Sequence, residues 1–140
     1  MQLRKILKDI QPLNITGDVE KEINNIVFNS KLASPNSLFV ALKGTQHDGI
    51  SYVSEAISKG AVAILAQEYP VPRHNGITYI QASDVRKTAA LLAAAFYQHP
   101  AKKLNLMGIT GTNGKTTTSY LIASILKEAG RKTGIIGTIN

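Results

Sequence analysis

The stretch "ITGTNGKTTT", residues 109–118, sets two glycines, an asparagine and a lysine ahead of a run of threonines, directly after the apolar "LNLMG". A glycine-rich turn between a buried strand and a helix start aims successive backbone N–H groups at one point, and the helix dipole adds positive potential there. That chemistry suits a phosphate group. Gly111 and Gly114 allow backbone conformations that a Cβ penalises, Lys115 can reach outer phosphates, and Thr116 can place its hydroxyl on Mg²⁺. The P-loop pattern G-x-x-x-x-G-K-[ST] is met except at its first glycine, where Ile109 stands.

Other chemistry-bearing residues are sparse. The neighbours His47 and Asp48 read as turn residues, because Asp48-Gly49 is common turn chemistry and adjacent side chains in a turn point differently. His74 and His99 are isolated in loops, and no metal-ligand spacing occurs. The absence of cysteine excludes disulfides and thiolate metal sites and fits a reducing compartment. After Lys115 the only acid is Glu128, about three helical turns along.

The elements that must position these residues follow from periodicity. Leu3, Ile6, Leu7 and Ile10 share a helical face before Pro12. "EINNIVFNS" and "SLFVALKG" read as strands, "SYVSEAISKGA" as a helix ending at Gly60, and "AVAILAQ" as a strand, so the last three elements suggest a βαβ unit. "ITYIQ" is another strand. Ser83 or Asp84 then caps a helix in which Val85, Ala89, Leu92 and Phe96 line one face, and Pro100 closes it. Beyond that, "KKLNLMGIT" and "KTGIIGTI" read as buried strands on either side of a helix over 115–129 closed by Gly130. The fold class is therefore α/β, with a small α/β domain over residues 1–100 followed by a βαβ unit over 101–140.

The 140 residues are 44% apolar and 18% charged, which suits a globular chain with a core. The longest apolar run, Ala89 to Tyr97, is too short to span a membrane, and "MQLRKILKDIQP" lacks a signal-peptide core, so a cytoplasmic protein is expected. The net charge of +7 is uneven: residues 1–100 hold ten Lys/Arg against eight Asp/Glu, and residues 101–140 hold six against one. With no stripe of basic residues and no interleaved aromatics, this excess fits small anionic ligands rather than nucleic acid.

"GITGTNGKTTT" resembles the ATP-binding signature of the Mur ligases and their relatives, in which isoleucine or valine commonly stands where Ile109 is. On that resemblance Gly111, Thr112, Asn113, Gly114, Lys115, Thr116 and Thr117 would hold ATP, with Thr116 near Mg²⁺. "NSKLASPNSLFVALKGTQHDGISYVSEAISKGAVAIL", from Asn29 to Leu65, resembles the family's N-terminal layout of D-S-R, then G-x-L-F-x-A-x-x-G, then D-G and later G-A. Asn29, Lys31 and Asn36 depart from it, and a lysine at 31 does not reproduce the bidentate fork of an arginine.

The resemblance implies that residues 1–100 recognise the uridine diphosphate end of a UDP-N-acetylmuramoyl peptide, with Phe28, Ser30, Thr45, Gln46 and His47 at the ligand. Ser30 can donate to a phosphate or base oxygen, and Phe28 can lie against a base. By residue type alone Phe28 reads as a core side chain at a strand end.

"TGTNGKTTT" with the later "GIIGTI" is similar to the branch that adds the third amino acid to UDP-N-acetylmuramoyl-L-alanyl-D-glutamate through an acyl phosphate, releasing ADP and phosphate. The alternatives are the neighbouring ligase that adds D-alanyl-D-alanine, a cyanophycin-type synthetase, and a binding module without turnover. The expected partners are the UDP-muramoyl dipeptide, an amino acid, and the rest of a ligase of which this would be an inactive N-terminal piece.

Overall fold

The structure is a computed structural model that describes residues 1–44, 48–70 and 72–137. The chain divides into two units, Met1–Lys102 and Lys103–Asn140.

The first unit is built on a five-stranded sheet of β1 (Asn14–Thr16), β2 (Asn25–Val27), β3 (Ser37–Val40), β4 (Ala61–Ala66) and β5 (Thr78–Gln81), in the order β1-β5-β4-β3-β2. β2 to β5 run parallel, and β1 pairs antiparallel with β5. Register aligns Val27, Phe39, Ile64 and Tyr79 in one row across the sheet. Since strand side chains alternate between faces, that row packs with Val53 and Ala56 of α2 (Val53–Ser58) in one cluster. The intervening residues Leu38, Val40, Ala63, Leu65 and Ile80 face the opposite way. They pack with Leu3 and Ile6 of α1 (Leu3–Ile6), with Leu7 and Ile10 beyond it, and with Val85, Ala89 and Leu92 of α3 (Val85–Phe96). Helices thus cover both faces, as a parallel sheet requires.

Local chemistry sets the joins. Asp84 is the residue that caps α3, its carboxylate accepting from the Lys87 backbone N–H at 2.9 Å. Gly60 ends the α2 turn at φ +104°, and a Cβ there would lie 2.8 Å from Pro35 Cα, so both conformation and space require glycine. The N-terminal helix is shorter than its periodicity predicts: α1 gives way to a 3-10 turn over Leu7–Asp9. β1 has no counterpart in the pattern reading, because three residues on an edge carry too little alternation to register.

In the second unit the helix forms as predicted, α4 spanning Lys115–Glu128. It closes with Gly130 at φ +72°, whose N–H donates to the Lys127 carbonyl at 2.9 Å while the Arg131 N–H donates to that of Leu126 at 2.9 Å. This is the Schellman arrangement that satisfies the last carbonyls. The two flanking strands are a correction: residues 104–114 and 129–137 carry no strand. A strand exists through its ladder, and neither segment pairs with another among the described residues. Leu104, Leu106, Met107 and Ile136 are accordingly exposed, Leu106 to 74%.

Two consequences are measurable. Leu92→Ala, at a fully buried position, is expected to lower unfolding free energy by about 3 kcal/mol, whereas Leu106→Ala should change it by less than about 0.5 kcal/mol; urea denaturation checks both. Amide exchange should be slow through β3, β4 and α3 and much faster throughout residues 103–137, and equal protection of the two units would contradict the packing described.

Candidate functional site

The predicted phosphate loop, residues 109–118, lies within the second unit. Gly111 has φ +150° and Gly114 φ +77°, the latter immediately before the helix. A Cβ on Gly114 would meet nothing within 4 Å, so glycine is required there by backbone conformation rather than by crowding. The start of α4, like those of α1 and α2, has no side-chain cap, whereas three other element starts do. Asp84 caps α3, Asn29 caps a 3-10 turn over Ser30–Leu32 by accepting from the Lys31 N–H, and Asp48 caps another over Gly49–Tyr52 by accepting from Ile50 N–H. At α4 the capping position is glycine, with no side-chain cap and no acid in the first turn. The N–H donors there are open to solvent, and the helix dipole favours an anion at that point.

Lys115 sits at the mouth of this turn. Its ammonium donates to the Gly111 carbonyl at 2.6 Å and to that of Thr112 at 3.3 Å, which folds the positive charge over the loop. Thr112, Asn113, Thr116 and Thr117 are exposed around it. Thr116 is the second residue of the helix, and its carbonyl accepts from the Ser119 hydroxyl at 2.7 Å. No group of three or more His, Asp or Glu that could hold a metal occurs among the described residues. Glu128, at the far end of α4, is about 20 Å from the loop at the rise of a helix.

The second set of predicted residues lies just past the C-terminal end of β2. Parallel sheets bind ligands beyond the carboxyl ends of their strands. Phe28 is 55% exposed, so the core reading of its ring does not hold. Ser30 is 4% exposed and its hydroxyl donates to Glu55 Oε2 at 2.6 Å. Lys59 pairs with Glu55 Oε1 at 3.2 Å, and its ammonium also donates to the Lys31 carbonyl at 3.4 Å. The Ser30 bond and then the Lys59 contacts hold the Glu55 carboxyl below its ordinary pKa. Thr45, Gln46 and His47 lie outside the described residues.

Glu55 is the residue that pattern reading missed. Its i,i+4 spacing to Lys59 is visible in the sequence, but its bond to Ser30, 25 positions away, is made by α2 packing beside the Ser30–Leu32 turn. Asp48 plays the turn role expected of it, accepting from the Ile50 N–H at 3.0 Å. A separate cavity of about 580 Å³ opens between the Leu7–Asp9 turn and α3, lined by Lys8, Gln11, Ser83, Asp84, Lys87 and Thr88 among others. It contains none of the predicted site residues, and the Asp84 carboxylate already occupies the helix start there.

A mostly parallel sheet covered by helices on both faces, and a glycine-capped helix start bearing a lysine, define an α/β protein with a candidate phosphate loop. Residues 22–116 match the model described as Mur ligase family, catalytic domain, and residues 109–140 the Mur ligase middle domain. The chain belongs to the Mur ligase family.

It is 43% identical over 139 residues to the UDP-N-acetylmuramoyl-L-alanyl-D-glutamate--2,6-diaminopimelate ligase of Alkaliphilus metalliredigens, covering 99% of this chain and 28% of that protein. To the ligase of the same name from Bacteroides fragilis it is 42% identical, covering 99% and 29%. The chain thus spans little more than a quarter of the length of these curated relatives. Among solved structures, the MurF ligase of Thermotoga maritima in complex with ADP aligns with a TM-score of 0.56 at 31% identity, covering 74% of this chain and 23% of that one. A structure of a UDP-N-acetylmuramoyl-L-alanyl-D-glutamate--2,6-diaminopimelate ligase aligns with a TM-score of 0.66 over 94% of this chain and 26% of that one; at 21% identity this is a likeness of fold.

The lowered Glu55 pKa fixes a sign. A carboxyl depressed in the folded state contributes stability above its unfolded pKa, about 4.3, and loses it as pH falls through the folded value. Glu55→Gln should therefore be less stable than the unaltered chain at pH 7, with the gap in urea midpoint closing below about pH 4; a gap that persists at pH 3 would show that the charge is not its source.

Proposed function

We propose that the chain supplies two parts of an ATP-dependent amide ligase of peptidoglycan precursor synthesis. Residues 1–100 are the domain for the uridine diphosphate end of UDP-N-acetylmuramoyl-L-alanyl-D-glutamate, and residues 101–140 begin the ATP-binding domain. The observation that carries this reading is the similarity to diaminopimelate ligases across 99% of the chain, with the glycine-capped, lysine-bearing helix start inside it.

In the proposed reaction, the terminal carboxylate of the dipeptide attacks the γ-phosphorus of ATP and ADP leaves. The incoming amine then attacks the acyl phosphate carbon, loses a proton, and phosphate departs with the C–O bond electrons. The loop's part is electrostatic. N–H groups at the start of α4 and the Lys115 ammonium offset charge on the β- and γ-phosphates. Lys115 exchanges its Gly111 and Thr112 carbonyls for phosphate oxygens, and Gly111 through Thr117 line the nucleotide. The donor set fits Mg²⁺ in one respect, since the Thr116 hydroxyl, directly after the lysine, would offer it an oxygen ligand. Magnesium held there would neutralise charge between two anions. Phe28, Ser30, Thr45, Gln46 and His47 are assigned to the uridine nucleotide.

With a single acid in the second unit, these residues bind ligands without turning them over. No helix among the described residues is long and apolar enough to cross a membrane; the proposed reaction is one between water-soluble substrates in the cytoplasm. The 31% identity to an ADP-bound MurF ligase favours as second reading the neighbouring enzyme that adds D-alanyl-D-alanine. Amine preference of a ligase containing these residues separates the two.

Calorimetric titration tests the assignment. Lys115→Ala should weaken Mg-ATP binding at least about tenfold while leaving the affinity for UDP-N-acetylmuramoyl dipeptide unchanged, and Phe28→Ala should do the reverse. Phosphate release from ATP by the unaltered chain, abolished in Lys115→Ala, would overturn the claim that it does not turn over.

A further inference from the structure

The Ser30–Glu55 pair carries more than a tether. A serine hydroxyl has one proton, and an ionised carboxylate accepts without donating. At 2.6 Å from Glu55 Oε2 the Ser30 proton is committed to the carboxylate in a short charge-assisted bond. Lys59 on the other carboxylate oxygen, at 3.2 Å, favours the ionised form of Glu55. Only lone pairs remain on Ser30 Oγ for anything outside. The donor role that residue type suggests for Ser30 is thereby closed: phosphate oxygens and base carbonyls are acceptors and have no proton to offer it.

We propose that Glu55 is a positioning residue for the uridine-nucleotide site, holding the Ser30 hydroxyl as an acceptor that reads the imide N–H of uracil and rejects cytosine. Cytosine presents a bare nitrogen lone pair at that ring position, which would face the lone pairs of Ser30. The inference rests on the reading that residues 1–100 take a uridine diphosphate ligand. It places Ser30 beside the base rather than the diphosphate. The exposed ring of Phe28, two residues earlier at the same strand end, supplies a face for the base to lie against.

The test is titration of the 140-residue chain with uridine diphosphate and with cytidine diphosphate, in unaltered, Glu55→Gln and Glu55→Ala forms, each checked for folding by circular dichroism. In Glu55→Gln the Lys59 ammonium draws the amide oxygen to itself and turns the NH₂ group toward Ser30, whose proton is then free to point outward. The unaltered chain should prefer the uridine nucleotide by at least about tenfold, a hydrogen bond against an unpaired polar group. In Glu55→Gln that ratio should fall toward one, with the cytidine nucleotide gaining as the uridine nucleotide loses, and Glu55→Ala should move it the same way. A Glu55 that is merely structural would weaken both nucleotides together and leave the ratio unchanged, and that result overturns the proposal, as does an unaltered chain that binds both equally. A folded, unaltered chain that binds neither nucleotide instead refutes the uridine site, and this inference with it.

Discussion

Because β3 and β4 run inside a parallel sheet, they have no face to turn to water, and both faces must be covered by helices. That requirement puts α1 and α3 on one side and α2 on the other. It also sends each parallel strand out at the same edge of the sheet, so Phe28 and Ser30 emerge beyond β2 at the edge where α2 is delivered by the connection from β3 to β4. The Ser30–Glu55 bond is a product of that covering. Without α2 seated on Phe39 and Ile64, Glu55 has no reason to meet a serine 25 positions earlier.

Charge is handled differently in the two units. In the first, the starts of α3 and two 3-10 turns are capped by side chains of the chain itself, Asp84, Asn29 and Asp48, while α1 and α2 start without one. In the second, a glycine stands where such a side chain would be, and the nearest charge is the positive one of Lys115, held by the loop's own carbonyls. A helix start provided with a cation and without an internal anion suits the phosphate that the proposed function assigns to it. The same unit carries most of the chain's positive excess, which reinforces the local potential over short range.

Much of the fold was legible residue by residue. The continuous apolar runs in "SLFVALKG" and "AVAILAQ" predicted β3 and β4, the 3.6-residue spacing of Val85, Ala89, Leu92 and Phe96 predicted α3, and Gly130 marked the end of α4. Pattern reading failed where pairing decides. "KKLNLMGIT" and "KTGIIGTI" carry apolar residues in strand-like stretches, yet form no strand among the described residues, since hydrophobicity makes a strand possible and a neighbouring backbone makes it real. β1 is the converse: weak in pattern, it exists because β5 offers it an edge.

For the sites, the chain's own order of residues determined the phosphate loop, because every part of it is local: two glycines with positive φ, a lysine, and the helix they open. Local geometry follows from local sequence, so proximity along the chain is proximity in space. The residues proposed for the uridine nucleotide could be nominated from sequence but their chemistry could not. Whether Phe28 was core or surface depended on the packing around the end of β2, and where Ser30 sends its proton depended on a contact across 25 residues of chain. Those contacts exist only once hydrophobic burial has seated α2 against the sheet, and the burial is non-directional and collective, so no spacing rule announces which carboxylate it will bring to which hydroxyl.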